Sequence, residues 1–174
     1  MLVLFNKSYG VACQFSGHEA HQTLKDYIPI PGVYAAGRLD SEGLLILTDE
    51  GGLQHRVSHP KYKESKIYWA QVEGKPTETD LEPLRKGVDL GDFVTQPVQV
   101  RCIAEPADLW PRNPPIRERK AIPTAWLRIT ISEGKNRQVR RMTAKIGFPA
   151  LRLIRYAIGN HTLDGLASGA WKKL

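Results

Sequence analysis

Four consecutive apolar residues, Leu44-Leu45-Ile46-Leu47, follow directly on a loop bracketed by Gly37 and Gly43. A strand with one face in water alternates apolar and polar positions, so an unbroken run reads as a strand covered on both faces. The rest of the chain then has to supply cover on either side of it. Leu2 to Phe5 and Val11 to Phe15 are β-prone runs separated by the turn-rich Asn6-Lys7-Ser8-Tyr9-Gly10, which predicts an opening hairpin. Thr23 to Ile28 reads as a short helix stopped by Pro29 and Pro31, and Asp49 can cap a helix over Gly51 to Ser58 that Pro60 ends. Ser65 to Val72 is a strand, and Thr77 with Asp80 has capping-box-like spacing at the head of a helix running to Lys86. Val94 to Ala104 is β-prone, Thr124 to Ile131 alternates as a strand, Asn136 to Ile146 has a helical pattern with Asn136 as its cap, and Leu151 to Ile158 returns as a strand. Strands mixed irregularly with few helices predict an α+β fold on a mixed, largely antiparallel central sheet with flanking helices. At 174 residues the expectation is one catalytic domain, 1–174, with room for two lobes around a central cleft.

Between Pro106 and Pro123 lie five of the twelve prolines together with Arg112, Arg117, Arg119 and Lys120, which excludes a helix or central strand and predicts a mobile basic loop. The formal charge of +7 and sequence pI near 9.5 call for a polyanionic partner. Nucleic acid is favoured over a membrane, because no apolar run approaches the roughly 20 residues of a span and Met1 to Phe5 is too short for a signal-peptide core. A soluble, cytoplasmic protein is expected. Cys13 and Cys102 stand apart without a CxxC pair, which fits a reducing compartment and predicts two small buried apolar residues. His55 and His59 have i, i+4 spacing, but Arg-Val-Ser between them is not HExxH and no third ligand is evident, so no metal site is expected.

Three groups of residues can carry chemistry. Arg38-Leu39-Asp40-Ser41-Glu42 sets two carboxylates and an arginine between glycines, a pattern that serves a charged surface turn as well as a side chain presented into a cleft. Tyr68 shares a strand face with Ala70 and Val72, so it is either ordinary core or a ring offered to a ligand. On the helix near Asn136, Val139, Met142 and Ile146 form one apolar seam; of the arginines there, Arg140 lies nearest to that seam, ahead of Arg141 and Arg137.

A resemblance gives these residues roles. Gly37-Arg38-Leu39-Asp40-Ser41-Glu42-Gly43-Leu44-Leu45-Ile46-Leu47-Thr48 resembles the catalytic motif of the RsuA-type pseudouridine synthases, GRLD followed by a spacer, GLL and LT. Phe5-Asn6-Lys7-Ser8-Tyr9-Gly10-Val11 is similar to the family's first motif, with Ser8 and Tyr9 departing from the commoner Lys-Pro form. Ser65 to Tyr68 resembles the second catalytic motif, Glu133 to Met142 the third, and Leu151 to Gly159 the closing Leu-x-Arg strand. The order and extent match almost the whole chain. The resemblance implies isomerisation of a uridine in ribosomal RNA, 23S in the large-subunit branch, without cofactor and as a monomer. It implies Asp40 as the essential carboxylate, with Glu42 its less apt neighbour. Tyr68 would stack on the flipped uracil and relay the C5 proton, and Arg140 would hold Asp40 ionised and oriented. Leu153 would lie beneath the active site, while Arg38, Arg137, Arg141, Lys135 and Arg155 would contact RNA. Many members carry an S4-type RNA-binding domain ahead of this core; since the motifs begin at residue 2, none is expected here. A non-catalytic RNA-binding assembly factor, a glycosylase and a nuclease are the rival readings.

Overall fold

The computed structural model describes residues 1–58, 64–117, 119–135 and 137–174. These divide into two compact units, the first formed by Met1–Glu64 and Arg155–Leu174, the second by Ser65–Ile154.

In the first unit, β1 (Leu2–Lys7) pairs antiparallel with β3 (Glu42–Thr48), Leu2 opposite Thr48 and Lys7 opposite Gly43. On its other edge β1 pairs with β9 (Trp171–Lys173), Val3 opposite Lys173. The two-residue β2 (Tyr34–Ala35) pairs with the far end of β3. All seven residues of β3 are buried, as its unbroken apolar run requires. Val3, Phe5, Leu45 and Leu47 form a cluster with Leu24, Ile28, Val33 and Leu39. The helix α1 (Gly51–Ser58) follows β3, and Pro60, expected to end it, lies outside the described residues. The expected hairpin is not formed. Residues 11–15 are not a strand: Ala12 makes a single parallel bridge to Thr23, because β3 and β9 already occupy both edges of β1. Thr23 to Ile28 shortens to one 3-10 turn, Leu24–Asp26, in which the Thr23 amide donates to the Asp26 carboxylate at 2.8 Å.

In the second unit the strand order is β5-β6-β4, with β4 (Lys66–Glu73) and β5 (Gln99–Ile103) both antiparallel to β6 (Thr124–Ile131). Ala70 and Val72 from β4, Leu127 and Ile129 from β6, Leu81 and Leu84 from α2 (Glu78–Lys86), and Val139 and Met142 from α3 (Gln138–Lys145) make its core. The capping box at the head of α2 is formed: Thr77 Oγ1 accepts from the Asp80 amide at 3.2 Å, and Asp80 accepts from the Thr77 amide at 2.8 Å. Only the last part of the β-prone stretch becomes β5; Val94 instead bridges Asp89. Asn136 lies outside the described residues, and the cap position of α3 is held by Arg137. The described part of 106–123 holds neither helix nor strand. It is fastened at two points: Arg112 donates to the carbonyls of Pro114 and Leu151, at 2.9 and 3.3 Å, and Arg152 to that of Trp110 at 2.9 Å.

The strand β7 (Ala150–Ile158) begins in the second unit and ends in the first, where Ala157 and Ile158 pair with β8 (His161–Thr162). All the named ladders are antiparallel, and among the described residues three helices accompany them, so the α+β class expected from the sequence is the one observed. Neither cysteine is the buried apolar residue expected. Cys13 is half-buried and Cys102 exposed, its Sγ 3.6 Å from the Pro76 carbonyl oxygen, because β5 is an edge strand with one side uncovered. No helix among the described residues is long and apolar enough to cross a membrane.

Candidate active site

Asp40 stands on a turn built from buried anchors. Leu39 before it is 4% exposed and belongs to the core of the first unit, and Ser41 and Glu42 after it are buried at the start of β3. An apolar plug on one side and a strand on the other leave Asp40 as the residue that points to solvent. Its Oδ1 accepts from Arg38 Nε at 2.7 Å. Gly43, the next residue but two, has φ of +115°, and a Cβ there would lie within 2.6 Å of the Arg155 backbone nitrogen. The motif glycine is thus required twice, for its conformation and for the close approach of β7. Arg155 itself is 5% exposed; its Nε donates to the Leu44 carbonyl at 2.9 Å, while its buried Nη2 has no partner among the described residues. This differs from the expected surface contact to RNA: the guanidinium is spent inside the unit, on the strand that follows the Asp40 turn.

Lys7 belongs to the first motif, but no role of its own follows from the sequence. It ends β1 with no exposed surface, and Nζ donates to the carbonyls of Val11 at 2.8 Å and Ser8 at 3.3 Å, closing the turn of the first motif. Burial pushes its pKa down to about 8, against the opposing pull of Cys13, Asp40 and Glu42 and with a further push from Arg155. A lysine at the end of an apolar strand beside a glycine turn was the available signal.

The other expected site residues belong to the second unit. Tyr68 lies on the Ala70–Val72 face of β4 and packs, half-buried, against the core cluster that contains Leu153, Val139 and Met142. Leu153 is 7% exposed. Arg140 is half-buried on α3, between the buried Val139 and Met142 in sequence. Lys135, Arg137 and Arg141 come together around one cavity, with Asp92 and Phe93 as the remaining lining. Phe93 and Asp92 carry no motif and were not foreseen. Gln138 is 2% exposed and donates to Glu133 at 3.1 Å. Among the described residues no three of His, Cys, Asp and Glu converge as a metal site would need, and His59 lies outside them.

Residues 1–145 match the family model described as RNA pseudouridylate synthase, and the chain belongs to that family. It is 58% identical over 175 residues to the ribosomal large subunit pseudouridine synthase E of Vibrio vulnificus, covering 99% of this chain and 74% of that protein. To the protein of the same name from Xanthomonas axonopodis pv. citri it is 56% identical over 171 residues, covering 96% of this chain and 90% of that one. A crystal structure of a pseudouridylate synthase superimposes with a TM-score of 0.79 at 26% identity, over 99% of this chain and 69% of the other.

Proposed function

We propose that this protein converts one uridine of ribosomal RNA, in the 23S RNA of the large subunit, to pseudouridine, with Asp40 as the catalytic carboxylate. The observation that carries the reading is the turn: an exposed Asp40 held between the buried Leu39 and the Gly43 contact, in a chain of the RNA pseudouridylate synthase family. The reaction breaks the bond from C1′ to N1 and makes one from C1′ to C5. N1 gains a proton and the C5 hydrogen leaves to solvent, so no atom is lost from the RNA except in exchange. A carboxylate suits each route open to this change: attack on C1′, attack on C6, or removal of the C2′ proton.

In this reading Arg140 orients Asp40, Tyr68 stacks on the flipped uracil and moves the C5 proton, and Leu153 supports the base from below. Arg38, Lys135, Arg137 and Arg141 meet phosphates, and their charge offsets the few kcal/mol of unstacking that a flipped base costs. Arg155 serves the reaction from inside the unit, through β3. The protein acts as a cytoplasmic monomer without metal or cofactor.

The test uses protein-free large-subunit RNA tritiated at uracil C5. About one equivalent of tritium per RNA is expected in water, with no free uracil, no abasic site and no strand break. Free uracil would make the protein a glycosylase, and a shortened chain a nuclease. Tight binding without release would make it an assembly factor.

A further inference from the structure

The cavity lined by Asp92, Phe93, Lys135, Arg137 and Arg141 lies wholly in the second unit and measures about 520 Å³. Its floor comes from a loop closed on itself: the Val88 amide donates to Thr95 Oγ1 at 2.8 Å, the Thr95 amide to the Val88 carbonyl at 2.9 Å, and the Leu90 amide to the Phe93 carbonyl at 2.9 Å. Its wall, Lys135 with Arg137 and Arg141, stands beside Glu133, which is tied to that loop by accepting from the Gln96 amide at 2.6 Å and also accepts from Gln138 of α3. Arg141 completes the frame by donating to both carboxylate oxygens of Asp92 and, at 3.2 Å, to the Leu90 carbonyl.

Within this frame charge is left over. Asp92 answers Arg141, but among the described residues neither the Lys135 ammonium nor the Arg137 guanidinium is ion-paired, and both residues are exposed. Lys135 Nζ lies 4.6 Å and the Arg141 guanidinium carbon 5.5 Å from the centre of the half-buried Phe93 ring, so an aromatic ring lines the cavity with two cations over it, one of them, Lys135, without an ion-pair partner among the described residues to hold it there. Arg137 holds a left-handed backbone, φ 53°, a conformation that non-glycine residues adopt at a cost and that is concentrated at binding sites. A phosphate alone would need the cations and not the ring. A ring beside two cations that have no ion-pair partner among the described residues, Lys135 and Arg137, in a cavity of small-ligand size, matches a base on its phosphate.

We infer that this cavity receives one unpaired nucleotide of the bound RNA other than the reacting uridine, its base stacked on Phe93 and its phosphate held by Lys135 and Arg137. The inference rests on the RNA-modifying reading above and names a contact that selects substrates by the presence of an unstacked nucleotide. Lys135 leaves the ring face as the base enters and follows the phosphate.

The protein is labelled with 4-fluorophenylalanine; it has four phenylalanines, and Phe93→Leu assigns the relevant fluorine signal. A large-subunit RNA fragment should shift that signal, whereas UMP at the same nucleotide concentration should not. In turnover, Phe93→Ala should raise KM about ten-fold and change kcat much less, as loss of one stacked base would. Phe93→Tyr should restore most of that loss. The double variant Lys135→Ala/Arg137→Ala should weaken binding and lower its salt slope by about two ions. An unmoved fluorine signal overturns the inference, as does an equal shift with UMP, which would mark a mononucleotide site. A double variant that binds poorly beside a Phe93→Ala of normal KM also overturns it, leaving a phosphate patch only. Should Phe93→Ala fail to fold, the fluorine shift and Phe93→Leu decide. Tritium release by the unaltered protein is scored separately: no release with a shifted Phe93 signal would remove the enzyme reading and keep the pocket.

Discussion

Arg38 and Asp40 are joined by a 2.7 Å bond across a single intervening residue, and both side chains are mostly exposed, at 81% and 53%. Exposed ion pairs add little to stability, so the pairing is easily exchanged: an RNA phosphate can draw the guanidinium away and leave the carboxylate to the substrate. The same bond holds the Arg38 guanidinium above its ordinary pKa, so the arginine stays charged throughout.

Asp40→Asn should therefore reduce turnover below a tenth of the unaltered protein while RNA affinity and thermal melting stay close to it. Arg38→Ala should weaken binding and lower the salt slope by about one ion, again without moving the melt. Turnover of Asp40→Asn above that tenth would remove Asp40 from the chemistry.

The neighbouring arginines of α3 should separate. Arg140→Ala is expected to lose turnover heavily and binding less; Arg141, already held by Asp92 and Leu90, should on replacement by Ala mainly weaken binding. Equal losses of affinity alone in the two variants would make Arg140 a phosphate contact.

Lys7 gives a pH signature. Its folded pKa of about 8 lies below the ordinary lysine value of 10.5, so between these pH values the unfolded chain holds the proton that the folded protein has lost. Stability contributed by Lys7 then rises with pH across that window and is flat below it. Denaturant unfolding of the unaltered protein and Lys7→Met at pH 7 and pH 10 should show the difference moving in favour of lysine by up to about 3 kcal/mol. A difference independent of pH would mean that Lys7 titrates as an exposed lysine does.

Gly43→Ala should destabilise by at least about 3 kcal/mol, since positive φ and a backbone clash with Arg155 add and neither neighbour can move aside. Gly10→Ala is the control: φ is +83° but nothing lies within 4 Å of the added methyl, so a loss of about 1 kcal/mol is expected. Similar melts for the two would show that β3 and β7 can part at Gly43 without penalty.

Periodicity and local chemistry made much of this architecture readable in advance. β3, β6, both ends of α2 and the capping box of Thr77 with Asp80 follow from patterns a few residues long. What escaped depends on distant partners. Val11 to Phe15 has β composition but no free strand edge to join, and Trp171 to Lys173 has no strand signal yet pairs with β1. The Asp40 turn was legible because its motif is contiguous. The burial of the Lys7 ammonium, and Phe93, which gains meaning only from Lys135 and Arg141, were not.

The pairing of Val3 with Lys173 sets an order of events during synthesis. Ser65–Ile154 leaves the ribosome as one continuous stretch, so the second unit has all its partners while the C-terminal residues are still unmade. The first unit has to wait: until β9 emerges, one edge of β1 is an open row of amides and carbonyls beside Phe5 and Leu4, a template for pairing with another nascent chain. The half of the molecule that carries Asp40 is the last to close, and a stalled or truncated chain leaves that half, rather than the second unit, exposed to aggregation and proteolysis.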